Sequence, residues 1–114
     1  MKFKHEFGFN TRLSEANRVL VKYPDRIPII CEKNSSTRLE EIDKKKYLVP
    51  SDLTLGQFIY VIRKRLKLPS EKAVFLFING KIIRTSATVS EIYHTEKESD
   101  NFLYITYSDE NVFG

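Results

Sequence analysis

Apolar residues near the start of the chain return with a helical period. Leu13, Ala16, Leu20 and Tyr23 fall at i, i+3, i+7 and i+10, one face of a 3.6-residue repeat. The spacing predicts a helix over residues 10–23, with Asn10 or Thr11 at its start and Pro24 at its end. Before it, Phe3, Phe7 and Phe9 predict a short amphipathic turn or helix broken at Gly8. The pattern then shortens. Ile27 to Cys31 reads as a strand, and Pro28 within it, lacking an N–H for the ladder, argues for a sheet edge. Residues 34–45 are polar and read as a loop. Tyr47, Leu48 and Val49 predict a second strand stopped by Pro50.

Thr54 to Leu66 is the clearest helix. Thr54 and Gln57 have the spacing of a capping box, and Leu55, Phe58, Ile59, Ile62 and Leu66 form its apolar stripe. Arg63, Lys64, Arg65 and Lys67 crowd the last turn, where cations suit the helix dipole. Val74 to Ile78 is a continuous apolar run, expected as a buried strand. Asn79-Gly80 signals a hairpin leading to a short strand at Ile82-Ile83. Thr88 and Glu91 offer a second capping box before a short helix through Val89, Ile92 and Tyr93. Phe102 to Tyr107 is the last strand. The order is a helix followed by β-β-α-β-β-α-β. That order predicts an α+β fold, a ubiquitin-like β-grasp with an N-terminal helical extension on the other sheet face or at an end.

Length and composition narrow the picture. The 114 residues make one domain, with an extension over residues 1–24 and a body over 25–114. Hydrophobic residues at 41% and charged residues at 30% suit a chain with a packed core. One cysteine excludes an internal disulfide framework or a zinc cage and points to a reducing compartment, cytosol or nucleus. The first ten residues mix charges among the phenylalanines, so no secretory signal is expected. No run of 18 apolar residues occurs, so nothing is expected to span a membrane.

Candidate chemistry is sparse. His5 and His94 are isolated, Cys31 alternates with Ile27 and Ile29 as a small core residue, and no phosphate loop or nucleophile motif occurs. No enzyme, no metal and no cofactor are expected. Three regions remain. The chain ends on Gly114, whose lack of a Cβ lets a carboxylate enter a narrow active site. Strand parity turns Pro28, Ile30, Leu48 and Phe102 away from the core; either they form an exposed apolar patch or helix 10–23 covers them. Lys44, Lys45 and Lys46 with Arg26, Arg63, Lys64 and Arg65 give basic stretches within a net charge of +4. A landing zone for acidic peptide flanks fits them better than nucleic acid, whose binding motifs are missing.

The stretches YPDRIP (23–28), DKKKYLVP (43–50), SDLTLGQFIYVIRKR (51–65) and FLYITYSDENVFG (102–114) resemble the autophagy ubiquitin-like modifiers. This is the family of the GABA-receptor-associated protein and microtubule-associated light chain 3. The chain departs from it after Asn79, where Lys81, Ile82 and Ile83 replace prolines. The resemblance implies that Gly114 is adenylated, passed between activating and conjugating enzymes, and joined to phosphatidylethanolamine. It implies a cysteine protease that cleaves after Gly114, with Phe113 seating the tail. Ending at Gly114, the chain would be either a mature form or a product that needs no cleavage. Further, it implies binding of aromatic-x-x-aliphatic peptides from cargo receptors and adaptors as a strand beside Ile27–Lys33. The aromatic pocket would be Glu15, Val19, Pro28, Ile30, Lys46, Leu48 and Phe102. The aliphatic pocket would be Tyr47, Val49, Pro50, Leu53, Phe58 and Val61. Arg26, Lys44 and Arg65 would meet acidic flanks. The implied location is cytoplasmic when unconjugated, and autophagosomal and vacuolar or lysosomal membranes when lipidated. The alternative is a non-conjugated peptide-binding scaffold in vesicle trafficking or cytoskeletal attachment.

Overall fold

The computed structural model describes residues 1–111. In chain order they form α1 (Lys2–Glu6), α2 (Phe9–Lys22), β1 (Arg26–Lys33), β2 (Lys46–Pro50), α3 (Leu55–Leu66), β3 (Phe75–Phe77), α4 (Val89–Glu96) and β4 (Leu103–Ser108). The four strands make one mixed sheet in the order β2-β1-β4-β3. β1 is antiparallel to β2 and parallel to β4, and β3 closes the far side antiparallel to β4.

This order corrects the expectation that Pro28 marks an edge. β1 is an inner strand, and the open edges are β2 and β3. Cys31 N–H donates to Lys45 O at 2.8 Å, so odd-numbered amides of β1 face β2 and even-numbered ones face β4. Pairing with β4 starts only at Ile29↔Leu103. The missing N–H of Pro28 therefore faces a flank where no partner strand has yet begun.

Side-chain alternation splits the interior into two layers. Ile27, Ile29, Cys31, Leu103, Ile105 and Tyr107 face α3 and α4, packing on Phe58, Ile62, Val89 and Ile92. Ile30, Phe102 and Tyr104 face the opposite side, where Phe3 of α1 and Ala16 of α2 cover them. Two-faced burial explains why β1 reads as a nearly unbroken apolar run rather than an alternating one. Burial also pushes the Cys31 thiol well above its usual range, leaving it a small core residue.

Helix α1 is too short to persist alone. Its first amides, Lys2 N–H and Phe3 N–H, donate to the buried Glu32 carboxylate at 2.9 and 3.0 Å. The strand thus supplies the anion that the helix start needs. Arg12 on α2 pairs with buried Asp100 at 2.9 Å, and Tyr104 donates its hydroxyl to the same carboxylate. Helix α2 begins at Phe9 with Gly8 as its N-cap, and neither Asn10 nor Thr11 caps it.

The capping box of α3 forms as expected. Gln57 N–H donates to Thr54 Oγ1 at 3.1 Å, and Thr54 N–H donates to Gln57 Oε1 at 2.9 Å. For α4 only half the box forms: Thr88 accepts from Glu91 N–H, while the Glu91 side chain goes to Arg84 instead. The Asn79-Gly80 turn has φ of 51° and 73°, as a two-residue hairpin requires. Its ladder stops at the Ile78↔Lys81 bridge, so the expected strand at Ile82-Ile83 is not there. The chain is drawn away because Thr85 and Ala87 carbonyls accept from Gly56 and Leu55 N–H, satisfying the first amides of α3.

Candidate functional site

Where α2 lies over β1 beside the open β2 edge, the sheet and helix leave a recess of about 260 Å³. Glu15 and Val19, one turn apart on α2, form one wall. Pro28, Lys46, Leu48 and Phe102 supply the floor and the other wall, joined by Lys44 and Tyr47. Six of the seven residues expected for the aromatic pocket meet here. Ile30 does not line it; that side chain is fully buried beneath Phe3 and Ala16. Of the two alternatives for this face, exposed patch or cover by helix 10–23, the structure shows a mixture, with Phe3 of α1 sharing the cover with Ala16 of α2. The N-terminal helices take over Ile30 and most of Phe102, and the recess is what they leave uncovered. Lys46 Nζ reaches Glu15 Oε1 at 2.7 Å, joining strand to helix beside the recess.

The residues expected for the aliphatic pocket are spread in depth. Tyr47, Val49 and Phe58 are buried in the α3-side core, and the Tyr47 and Phe58 rings meet edge-to-face at 5.4 Å. Leu53 is half-buried, and Pro50 and Val61 are exposed. Leu53 and Val61 belong to a shallow depression with Gly56, Gln57, Tyr60 and Thr85. Burial pushes the Tyr47 phenol up, and its hydroxyl has no hydrogen-bond partner among the described residues.

Cations surround the β2 edge. Lys44 Nζ lies 5.2 Å from the Tyr47 ring centre. Arg65 Nε donates to Asp43 at 2.9 Å, and that bond holds the Asp43 carboxyl below its usual range. Arg26 Nη1 donates to the Leu48 carbonyl at 3.1 Å. The edge itself can be read from the ladder. Cys31 N–H bonds Lys45 O, and Ser51 N–H bonds Asp25 O at 2.9 Å, so odd-numbered residues of β2 turn their backbone groups to β1. Lys46 and Leu48 turn theirs outward. On this side of the sheet a peptide strand can therefore be added along the outer flank of Lys46–Pro50 and not beside Ile27–Lys33, which lies inside the sheet between β2 and β4.

Phe113 and Gly114 lie outside the described residues. Among the described residues no helix is long and apolar enough to cross a membrane, and no group of three or more His, Cys, Asp or Glu could hold a metal. Sequence reasoning missed two residues with clear roles, Glu32 beneath α1 and Asp43 on Arg65. Asp43 heads the Lys44–Lys46 run, which was the one available signal; nothing marks Glu32 except its acid in an apolar strand.

Comparison with known proteins converges. Residues 11–114 match the family described as autophagy protein Atg8, ubiquitin like. The Autophagy-related protein 8 of Mycosarcoma maydis is 58% identical over 112 residues, covering 98% of this chain and 95% of the relative. That of Schizosaccharomyces pombe is 58% identical over 113 residues, covering 99% and 93%. The crystal structure of Trypanosoma brucei ATG8 superposes with a TM-score of 0.92 at 46% identity, covering 100% of this chain and 98% of that one.

Proposed function

The chain belongs to the Atg8 ubiquitin-like family of autophagy proteins, and from that we propose a conjugated modifier that recruits partners through the α2–β2 recess. Gly114 is joined to phosphatidylethanolamine, delivered by activating and conjugating enzymes and released by a cysteine protease that grips Phe113. The two acyl chains of one phospholipid supply the two anchoring signals that stable membrane attachment needs. The unconjugated protein is cytoplasmic; the conjugate sits on autophagosomal and vacuolar or lysosomal membranes. Cargo receptors and adaptors present aromatic-x-x-aliphatic segments that extend the sheet along β2.

The observation that carries the binding half is the juxtaposition of recess and open edge. A cavity of about 260 Å³, floored by Pro28, Leu48 and Phe102, adjoins outward-facing backbone groups of Lys46 and Leu48. An aromatic side chain fits the recess while its own backbone pairs with β2. Lys44, Arg26 and Arg65 stand where acidic flanks would pass.

Two assays test the two halves. With purified activating and conjugating enzymes and phosphatidylethanolamine liposomes, intact mass should rise by one phospholipid, and Gly114→Ala should abolish the adduct. Absence of an adduct with competent enzymes sinks the conjugation half. For the binding half, Leu48→Ala should weaken an aromatic-x-x-aliphatic peptide; unchanged affinity refutes the groove.

A further inference from the structure

The docking edge is already engaged by the chain itself. Of the backbone groups that β2 turns outward, the Leu48 carbonyl accepts from Arg26 Nη1 at 3.1 Å. A strand added along β2 needs outward-facing carbonyls for its own N–H groups. Arg26 and an incoming strand compete for one acceptor.

The other cations at the groove do not touch the edge backbone: Lys46 is held by Glu15, Arg65 by Asp43, and Lys44 lies over the Tyr47 ring. Arg26 is exposed and forms no ion pair among the described residues. Its guanidinium is left on a neutral backbone oxygen, a weaker partner than a carboxylate that can take both prongs of the fork. We infer that Arg26 is a specificity-determining latch on the β2 edge. A peptide with a carboxylate beside its strand-pairing positions draws the guanidinium off Leu48 O and frees the edge. A neutral peptide of the same shape must break that bond without replacing it. This rests on the groove reading above and adds a penalty against neutral partners to the attraction for acidic ones.

The size of the penalty follows from the bond. A neutral hydrogen bond at an exposed site contributes modestly, so the latch should lower the affinity of a neutral strand roughly two- to fivefold. Equivalently, the edge is free in about a fifth to a half of molecules, and apparent affinity falls by that fraction.

Two synthetic peptides test this, aromatic-Asp-x-aliphatic and aromatic-Asn-x-aliphatic, identical elsewhere. Each is titrated calorimetrically into the full chain and into Arg26→Met, which keeps the aliphatic stem and removes the donors. The wild type should prefer the Asp peptide. Arg26→Met should bind the Asn peptide roughly two- to fivefold tighter than the wild type does, and should lose the preference. An Asn peptide bound equally or more weakly by Arg26→Met overturns the latch and leaves Arg26 as an attractive contact only. Should Arg26→Met melt below the wild type, Arg26→Leu, which also lacks donors, is judged by the same criterion. If neither peptide binds the wild type, the groove reading itself falls, a result distinct from failure of the latch.

Discussion

Replacing Glu32 by Gln should release α1 while leaving the sheet intact. The carboxylate accepts from Lys2 N–H at 2.9 Å and Phe3 N–H at 3.0 Å, and it is buried. Gln keeps one acceptor oxygen but turns an NH₂ donor toward the other amide and removes the negative charge from the helix start. Losing one charge-assisted hydrogen bond costs about 1.5–3 kcal/mol, and losing the charge at the helix start costs about 0.3–1 kcal/mol more. A total of about 2–4 kcal/mol corresponds to a roughly 30- to 800-fold rise in the population with α1 undocked. The loss is local, because Phe3 packs on Phe7 and on the outer layer of Ile30, Phe102 and Tyr104, away from the core beneath α3. Native-state hydrogen exchange reads this directly. His5 N–H bonds Met1 O at 3.3 Å and Phe7 N–H bonds Phe3 O at 3.1 Å. Their protection should fall by that factor in Glu32→Gln, while amides of β1 and β4 keep theirs. A fall below about threefold at His5 and Phe7 refutes the capping role. An equal fall in the central strands refutes the claim that α1 opens independently.

Three further outcomes follow from the packing and the titrations. Phe58→Ala removes a fully buried ring and its contact with Tyr47, so urea denaturation should show a loss of about 3–5 kcal/mol; under 1 kcal/mol would place Phe58 outside the core. Thr54→Ala deletes the α3 cap and should cost about 1 kcal/mol, lowering Tm by roughly 4–8 °C; an unchanged melt would mean the carbonyls of Thr85 and Ala87 suffice alone. In alkali, burial raises the Tyr47, Tyr93 and Tyr104 phenols and pushes Tyr107 up to about 12. The folded state thus keeps protons that the unfolded chain releases near pH 10. Stability should be full below pH 10 and decline between about pH 10 and 12. Absorbance at 295 nm should show these phenolates emerging together with loss of far-ultraviolet dichroism; smooth titration near pH 10 with the dichroism intact would contradict their burial.

The elements legible in the sequence were those whose signals are local. Thr54, Gln57 and the stripe through Phe58 and Ile62 define α3 without reference to the rest of the chain, and Asn79-Gly80 defines its turn. Strand order was not legible, because it depends on where partners begin and end. Pro28 reads as an edge marker, yet β1 is central; the proline is tolerated because β4 pairing starts one residue later. Likewise Ile82 and Ile83 have strand character, but the open amides at the start of α3 claim the carbonyls just beyond them. At the groove, parity placed Pro28, Ile30, Leu48 and Phe102 on one face correctly. It could not say that Phe3, some 27 residues away from Ile30 in sequence, would cover half of that face. The recess is defined by that partial cover, and partial cover is a tertiary property.

The parallel pairing of β1 with β4 has a mechanical consequence. It sends the end of β4 to the end of β1, where Asn34 N–H bonds Tyr107 O and Thr37 Oγ1 donates to Asp109 at 2.9 Å. The recess between Pro28 and Phe102 lies at the opposite end, about 17 Å away along five residue steps of the strands. Tension between the chain's C-terminal side and a load held on β2 runs along the strand axes, through the β4–β1 and β1–β2 ladders in series. The rungs lie across that direction, so each ladder is sheared and its bonds share the force, instead of being peeled one at a time. A sheet with this order resists traction between its two ends while staying open to a partner at its side.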